Sequence, residues 1–361
     1  MTLTSTDTEA PDRRAVSELW YTRCPVPTAS SIAISQGWLD DEFASDGITV
    51  ASLRASGATS VRESHFDHTQ ADSFRQGGNI PPIWTRSRGN DLRLIGLSWA
   101  EQYQAIVTLP GSGIEGPEDL RGRRFGRTRH VNDKIDFWHA SALRGLTYAL
   151  RAGGLSLDDI QLVDVEETQP FVPAHDQSHR GSLFGAYTNR RLQAAEVVAL
   201  IRGEVDAIYV AGGRGPDLEA FLGVERVFDI QAQAEPELRV SNIAPVALTV
   251  SGTLLDARPD LVARYVAASL RAAAWAKDHA DETHRILAHE VGIPEEIAGA
   301  SYTPEVHATL EFSLDDHLVA AIESQRDFLL EHGYIADSFD VREWIAAGPL
   351  AEARALLSSQ A

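Results

Sequence analysis

Short strand-forming runs separated by helical stretches are the feature that most limits what this chain can fold into. Ile48-Thr49-Val50-Ala51-Ser52-Leu53 is β-rich and alternating. Leu92 to Trp99 and Gln104 to Leu109 read as two more strands, and Gly203 to Tyr209 as a turn leading into a buried one. Helical spacing begins near Ala29, with Gly37 as a stop before Trp38, and Gln193 to Ile201 is also helical. Arg258-Pro259-Asp260 opens a long helix in which Leu261, Val262, Tyr265, Val266, Ser269 and Leu270 keep a helical period and Trp275 continues the face. Val319 to Leu330 is the clearest amphipathic stretch of a helix-rich C-terminal third. Strands joined through helices pair in parallel, so an α/β class with mixed, mainly parallel sheets is expected. Residues 1–15 read as a disordered lead-in. Gly57 to Ser64, small and polar, reads as a mobile connection that orders when a ligand binds.

At 361 residues the chain is long enough for two domains of ordinary size. Its net charge of −20 and lack of a basic run argue against a nucleic-acid partner, because phosphate neutralisation needs clustered Lys and Arg. No stretch is apolar for the roughly twenty residues of a membrane span, so no membrane role is expected. The polar, acidic start offers no secretory signal, which makes a cytoplasmic location the expectation. With a single cysteine, Cys24, no intrachain disulfide can form.

Cys24 lies in Tyr21-Thr22-Arg23-Cys24-Pro25-Val26-Pro27, where two prolines stiffen the backbone just after the thiol. Arg23 would favour a thiolate if its head group came close. A second informative stretch runs from Ser64 to Pro82 and holds His65, His68, Gln70, Arg75 and the Gly77-Gly78 turn before Ile80-Pro81-Pro82. A glycine turn can aim backbone N–H groups at an anion, and Arg75 supplies a planar fork for two oxygens. An imidazole can share a proton with a thiol. These are the parts needed to hold a small oxyanion against sulfur. His65 and His68 are close enough in sequence to raise a metal pair, but no Cys or further His follows at ligand spacing, so no metal is expected. No phosphate loop occurs either, and no cofactor is expected.

Three ordered elements carry a fold resemblance: Gly113–Gly126, with its "GI…DL…G…G" pattern; Gly203–Ala207, "GEVDA" before a strand; and Arg258–Val262, "RPDLV" opening a helix. Together they resemble the type II periplasmic-binding-protein fold, in the branch of sulfonate, nitrate and thiamine-precursor binding proteins. The resemblance implies two α/β lobes with a ligand cleft between them. Residues 1–107 and 240–361 would form lobe I, which carries Cys24, His65 and Arg75, and residues 108–239 an inserted lobe II.

"CPVP" at Cys24 and "HF-x-x-x-Q-x-x-x-x-R-x-GG-x-IPP" from His65 resemble the hydroxybiphenyl sulfinate desulfinase family. That resemblance implies catalytic roles for Cys24, His65 and Arg75, a sulfinate contact from the Gly78 amide, and pocket positions at Gln70 and Phe66. It implies cofactor-independent hydrolysis of an aryl sulfinate, a small-molecule anion, to arene and sulfite, by a protein expected to be monomeric. Cys24 would act as nucleophile or as proton donor, with His65 assisting. The chain departs from the family at Val210-Ala211-Gly212-Gly213-Arg214-Gly215, where an aromatic wall is replaced, and in the loop Pro170 to His179. A family pocket tryptophan falls near Ser141, with Trp138 one helical turn away as its substitute. The reaction type therefore transfers better than the substrate. The alternative is a solute-binding protein of the ABC-transporter type for a sulfonate-like or aromatic anion, which would need the arginine and glycine turn but no thiol.

Overall fold

The computed structural model describes residues 14–172 and 195–360. Among them are ten strands: β1 (Glu18–Arg23), β2 (Thr49–Ser52), β3 (Ser73–Gly77), β4 (Leu92–Ser98), β5 (Gln104–Thr108), β6 (Arg124–His130), β7 (Gln161–Glu167), β8 (Ala207–Ala211), β9 (Glu225–Asp229) and β10 (Val246–Ser251). They form two five-stranded sheets, ordered β2-β1-β3-β10-β4 and β7-β6-β8-β5-β9. β1 pairs in parallel with β2 and β3, as β6 does with β7 and β8. β10 runs against both its neighbours, and so does β5. Each sheet thus has one reversed strand, the first strand laid down after the chain crosses over from the other sheet.

β5 belongs to the second sheet, so the first crossing precedes Gln104 rather than following residue 107. The return crossing lies between β9 and β10. Each sheet has its own apolar core. In the first, Leu19, Ile32, Phe43 and Phe74 pack with the helix Pro259–Asp278, whose Leu261, Val262, Tyr265 and Val266 are buried. Pro259 sits in its first turn, where a missing N–H costs nothing. The Tyr265 ring stacks on Phe74 at 3.8 Å. In the second, Phe125, Leu146, Tyr209 and Ile230 meet across the β6-β8-β5 sheet.

The helices include α1 (Ala29–Ser35), α2 (Trp38–Ala44), α3 (Thr59–Asp67), α4 (Ile80–Ser87) and α5 (Phe137–Ala152). Gly37, at φ 75°, ends α1 and starts α2. α3 corrects the reading of Gly57 to Ser64 as a mobile connection. Ser56 Oγ accepts the Ala58 N–H at 3.2 Å, Arg62 Nη1 donates to the Ser56 carbonyl at 2.7 Å, and His68 closes the helix at φ 54°. Polar ties of this kind leave no apolar period to read. The lead-in, apart from Arg14 and Ala15, and most of the Pro170–His179 loop lie outside the described residues.

Candidate active site

The β1–β3 register builds the site. Thr22 pairs with Arg75 in the parallel ladder, and the Cys24 amide donates to the Gln76 carbonyl at 3.1 Å, which sets Cys24 opposite Gly77. Side chains two apart on a strand share a face. Thr22, Cys24 and Arg75 therefore point the same way, and Gly77 leaves the space beside the thiol. A Cβ at Gly77 would come within 2.4 Å of Cys24 Sγ. Arg23 points to the other side, where its Nε donates to Glu290 at 2.5 Å. The cationic neighbour of the thiol is Arg75, not Arg23.

Cys24 Sγ receives the Arg75 Nη2–H at 3.1 Å and lies 3.5 Å from His65 Nε2. Arg75 is 2% exposed, and its other bonds are to backbone: Nε to the His65 carbonyl at 3.0 Å and Nη1 to the Gly78 carbonyl at 2.7 Å. One planar group thus ties the thiol, the histidine and the glycine turn together. The second N–H on each of its terminal nitrogens has no described partner. Burial pulls the guanidinium below its usual pKa, and the sulfur beside it works in the opposite direction. Loss of water around the ring, and then the charge of Arg75, hold His65 well below the ordinary imidazole range. His65 is therefore neutral at pH 7.

Thr22 Oγ1 lies 2.6 Å from His65 Nδ1 and is buried, a contact the sequence reading missed. Its position two residues before Cys24 on a strand was the available signal. With Arg75 donating to sulfur, the remaining contact at 3.5 Å is met either by a thiol S–H donating to His65 Nε2 or by Nε2–H donating to the sulfur, and the first is the state in which Cys24 can deliver a proton. In that state the imidazole carries its proton on Nδ1 and donates it to Thr22 Oγ1.

Asn242 was also missed. Its carbonyl accepts the Asn79 N–H at 2.6 Å and its Oδ1 accepts the Ile80 N–H at 2.9 Å. Asn79 Nδ2 in turn donates to the carbonyls of Ser241 and Pro245 at 2.7 and 2.8 Å. The glycine turn is thereby clasped by the segment in which the chain returns to the first sheet. The Gly78 amide has no partner among the described residues, and a Cβ at Gly78 would meet the Asn242 side chain at 2.5 Å.

The remaining predicted residues divide. Phe66 packs edge-on to His65, with ring centroids 4.7 Å apart, and stacks toward Phe137 at 6.0 Å and Phe171 at 5.8 Å. Gln70 is not brought to the thiol. Its side chain donates to the Ala71 carbonyl at 3.3 Å, because the turn after α3 carries it outward. Trp138 is in the second lobe, its indole N–H on Glu196 Oε1 at 2.9 Å and its ring 5.6 Å from Tyr209, with no described contact to Cys24, His65 or Arg75. The aromatic that α5 sends toward Phe66 is its neighbour Phe137. Ser141 donates to the Phe137 carbonyl within the same helix. In the glycine stretch after β8, Gly215 makes room for the Tyr103 ring.

His68 Nδ1 lies 3.1 Å from both the Phe66 carbonyl and Thr85 Oγ1. Among the described residues no group of three or more His, Cys, Asp and Glu side chains could hold a metal ion. A pocket of about 490 Å³ opens beside His130, His139, Asp164 and Tyr334, but none of Cys24, His65 and Arg75 lines it. Its His139 bridges Tyr334 and Asp164 at 2.5 and 3.1 Å.

Residues 31–283 match the family described as NMT1/THI5 like. The chain belongs to that family. Two curated relatives of this NMT1/THI5-like protein are the 2'-hydroxybiphenyl-2-sulfinate desulfinases of Rhodococcus erythropolis and Rhodococcus qingshengii. Each is 28% identical over 348 residues, covering 91% of either chain. Among solved structures, a cysteine-to-serine mutant of the enzyme DSZB in complex with biphenyl-2-sulfinic acid aligns with a TM-score of 0.76 at 26% identity. The alignment covers 94% of this chain and 99% of the other. The periplasmic aliphatic sulphonate binding protein SsuA of Escherichia coli aligns at 0.65 with 15% identity over 92% of both chains, which speaks to the fold alone. The expected likeness to a binding-protein scaffold and to the desulfinases is thus found over nearly the whole chain.

Proposed function

We propose that this NMT1/THI5-like protein is an aryl sulfinate desulfinase, converting an aryl sulfinate and water to arene and bisulfite. The observation that carries the reading is the single sulfur held at once by Arg75 Nη2 and His65 Nε2 in a mostly buried face. The likeness over most of its length to proteins named for that activity supports it. A solute-binding protein needs an anion clamp; nothing in that role calls for a thiol joined to a neutral imidazole.

The sulfinate oxygens would take the free N–H groups of Arg75 and the Gly78 amide, which fixes the direction of the C–S bond. Cys24 then has two roles open to it. As an acid, the S–H protonates the ring carbon, the C–S bond breaks, and the released sulfur dioxide takes up water as bisulfite. As a nucleophile, sulfur bonds to the sulfinate sulfur while the aryl group leaves with the thiol proton. Water then cleaves the Cys24–S–SO₂⁻ adduct to restore the thiol and release bisulfite. In either route Arg75 stabilises negative charge on Cys24 sulfur, and neutral His65 holds or returns its proton. Neither route calls on a cofactor. The test is sulfite release from a panel of aryl and alkyl sulfinates, wild type beside Cys24→Ser.

A further inference from the structure

α3 carries His65 with little apolar surface of its own. Val61 and Phe66 are its only apolar side chains, and neither is fully buried. The first lobe holds this part of α3 through Arg75 on the His65 carbonyl, Thr22 and Cys24 on the His65 ring, Thr85 Oγ1 donating to the Phe66 carbonyl at 3.0 Å, and Phe66 packed against the cluster that includes Ile80 and Ile83. The opposite edge of α3 is held from the second lobe. Lys134 Nζ lies 2.5 Å from Asp67 Oδ2 and 2.8 Å from Glu63 Oε2. Glu63 and Asp67 are four apart, so they share a face, and Phe66 between them meets Phe137 and Phe171. Lys134 sits in the link between β6 and α5, and is one of only two lysines in the chain, the other being Lys277.

We infer that Lys134 is a positioning residue for His65, so that the second lobe completes a catalytic pair whose members both belong to the first. A compact ammonium suits this task, because its donors can serve carboxylates on two successive helical turns. Asp67 transmits the hold: its Oδ1 accepts the Thr69 N–H at 3.1 Å and the Thr69 hydroxyl at 2.8 Å, fixing the end of the helix that bears His65. Without Lys134, Glu63 and Asp67 lose the cation they share, and the face of α3 turned to the second lobe keeps, among its described contacts, only those of Phe66 with Phe137 and Phe171. The inference deepens the desulfinase reading and rests on it for the meaning of the pair, but its test does not.

That test is the rate of iodoacetamide alkylation of Cys24 against pH, which is unambiguous in a chain with one cysteine. The variants are Lys134→Glu, Lys134→Ala and Lys134→Arg, with Lys277→Glu as a distant control. Reversing the charge breaks two ion pairs and adds repulsion, so Lys134→Glu should change the rate at pH 7 by at least about fivefold and move the inflection of the profile. Lys134→Arg and Lys277→Glu should stay near wild type. If Lys134→Glu does not fold, Lys134→Ala carries the same expectation at smaller size. Folded variants with the wild-type rate and inflection would overturn the inference. A wild type that alkylates as expected and releases no sulfite from any sulfinate would instead remove the desulfinase reading and leave the positioning role standing.

Discussion

Cys24 and Gly77 face each other across the parallel β1–β3 ladder, so closely that a methyl group on Gly77 would reach within 2.4 Å of the thiol sulfur. The glycine is therefore part of how the thiol is aimed, quite apart from the turn it begins. Gly77→Ala forces Cys24 off its contacts with Arg75 and His65. Overpacking of this kind costs about 1–3 kcal/mol of stability, readable as a lowered Tm. Sulfite release should fall by about 100-fold or more, since a displacement of about an ångström is enough. A variant that keeps full turnover would show that the sulfur's position is not critical.

Thr22 holds the His65 ring in place through Nδ1, at 2.6 Å. Thr22→Val keeps the shape and removes the hydroxyl, leaving Nδ1 without its partner at a cost of about 1–3 kcal/mol. The expected result is a loss of about 10- to 100-fold in kcat, with KM little changed. Thr22→Ser restores the hydroxyl and should restore most of the rate. Equal turnover in Thr22→Val and wild type would show that the Thr22 contact does not position His65 for the reaction.

The histidines at the end of α3 also shape stability against pH. Burial, and then Arg75, lower the pKa of His68 well below the imidazole's usual value, as they do for His65. The unfolded chain therefore binds protons at both positions as pH falls through about 6.5, while the folded chain does not. Their contribution is fully present above that pH and is lost on the way down to the folded pKa. Asp133 and Glu196, both pushed up to about 6, act in the opposite sense over part of the same window. A comparison isolates the proton of interest. His68→Asn removes one titrating group at a left-handed position that asparagine accepts. Its ΔG of unfolding should fall less steeply between pH 6.5 and 5 than that of wild type, by up to about 1.4 kcal/mol per pH unit. Urea unfolding at a series of pH values checks this; identical slopes would mean that His68 protonates freely in the folded chain.

Much of the fold and part of the site could be read before the structure. Strands β2, β4, β5 and β8 were legible as alternating or continuously apolar β-rich runs, whereas β1 and β3, which build the site, were not. The helix at Pro259 was legible because its apolar residues recur with helical period and proline marks its start. Cys24, His65 and Arg75 were found as a pattern of residue types, and the structure brings them within hydrogen-bonding reach of one sulfur. α3 escaped because a helix with two apolar residues has no period. Phe137 and Trp138 face different neighbours: adjacent residues on a helix point about 100° apart, so the phase that turns Phe137 to Phe66 turns Trp138 to Tyr209. Asn242, Phe171 and Lys134 act through contacts distant in sequence, and only the folded chain reveals those.

The most direct measurement is sulfite release from aryl sulfinates by wild type and by Cys24→Ser, each checked for native folding. The account predicts sulfite from at least one aryl sulfinate with wild type, and none above background with the variant. Turnover that survives the loss of the thiol would contradict it. So would binding of aryl sulfinates by wild type, unaffected by the substitution and without sulfite release, which would mark the protein as a binder on the same scaffold.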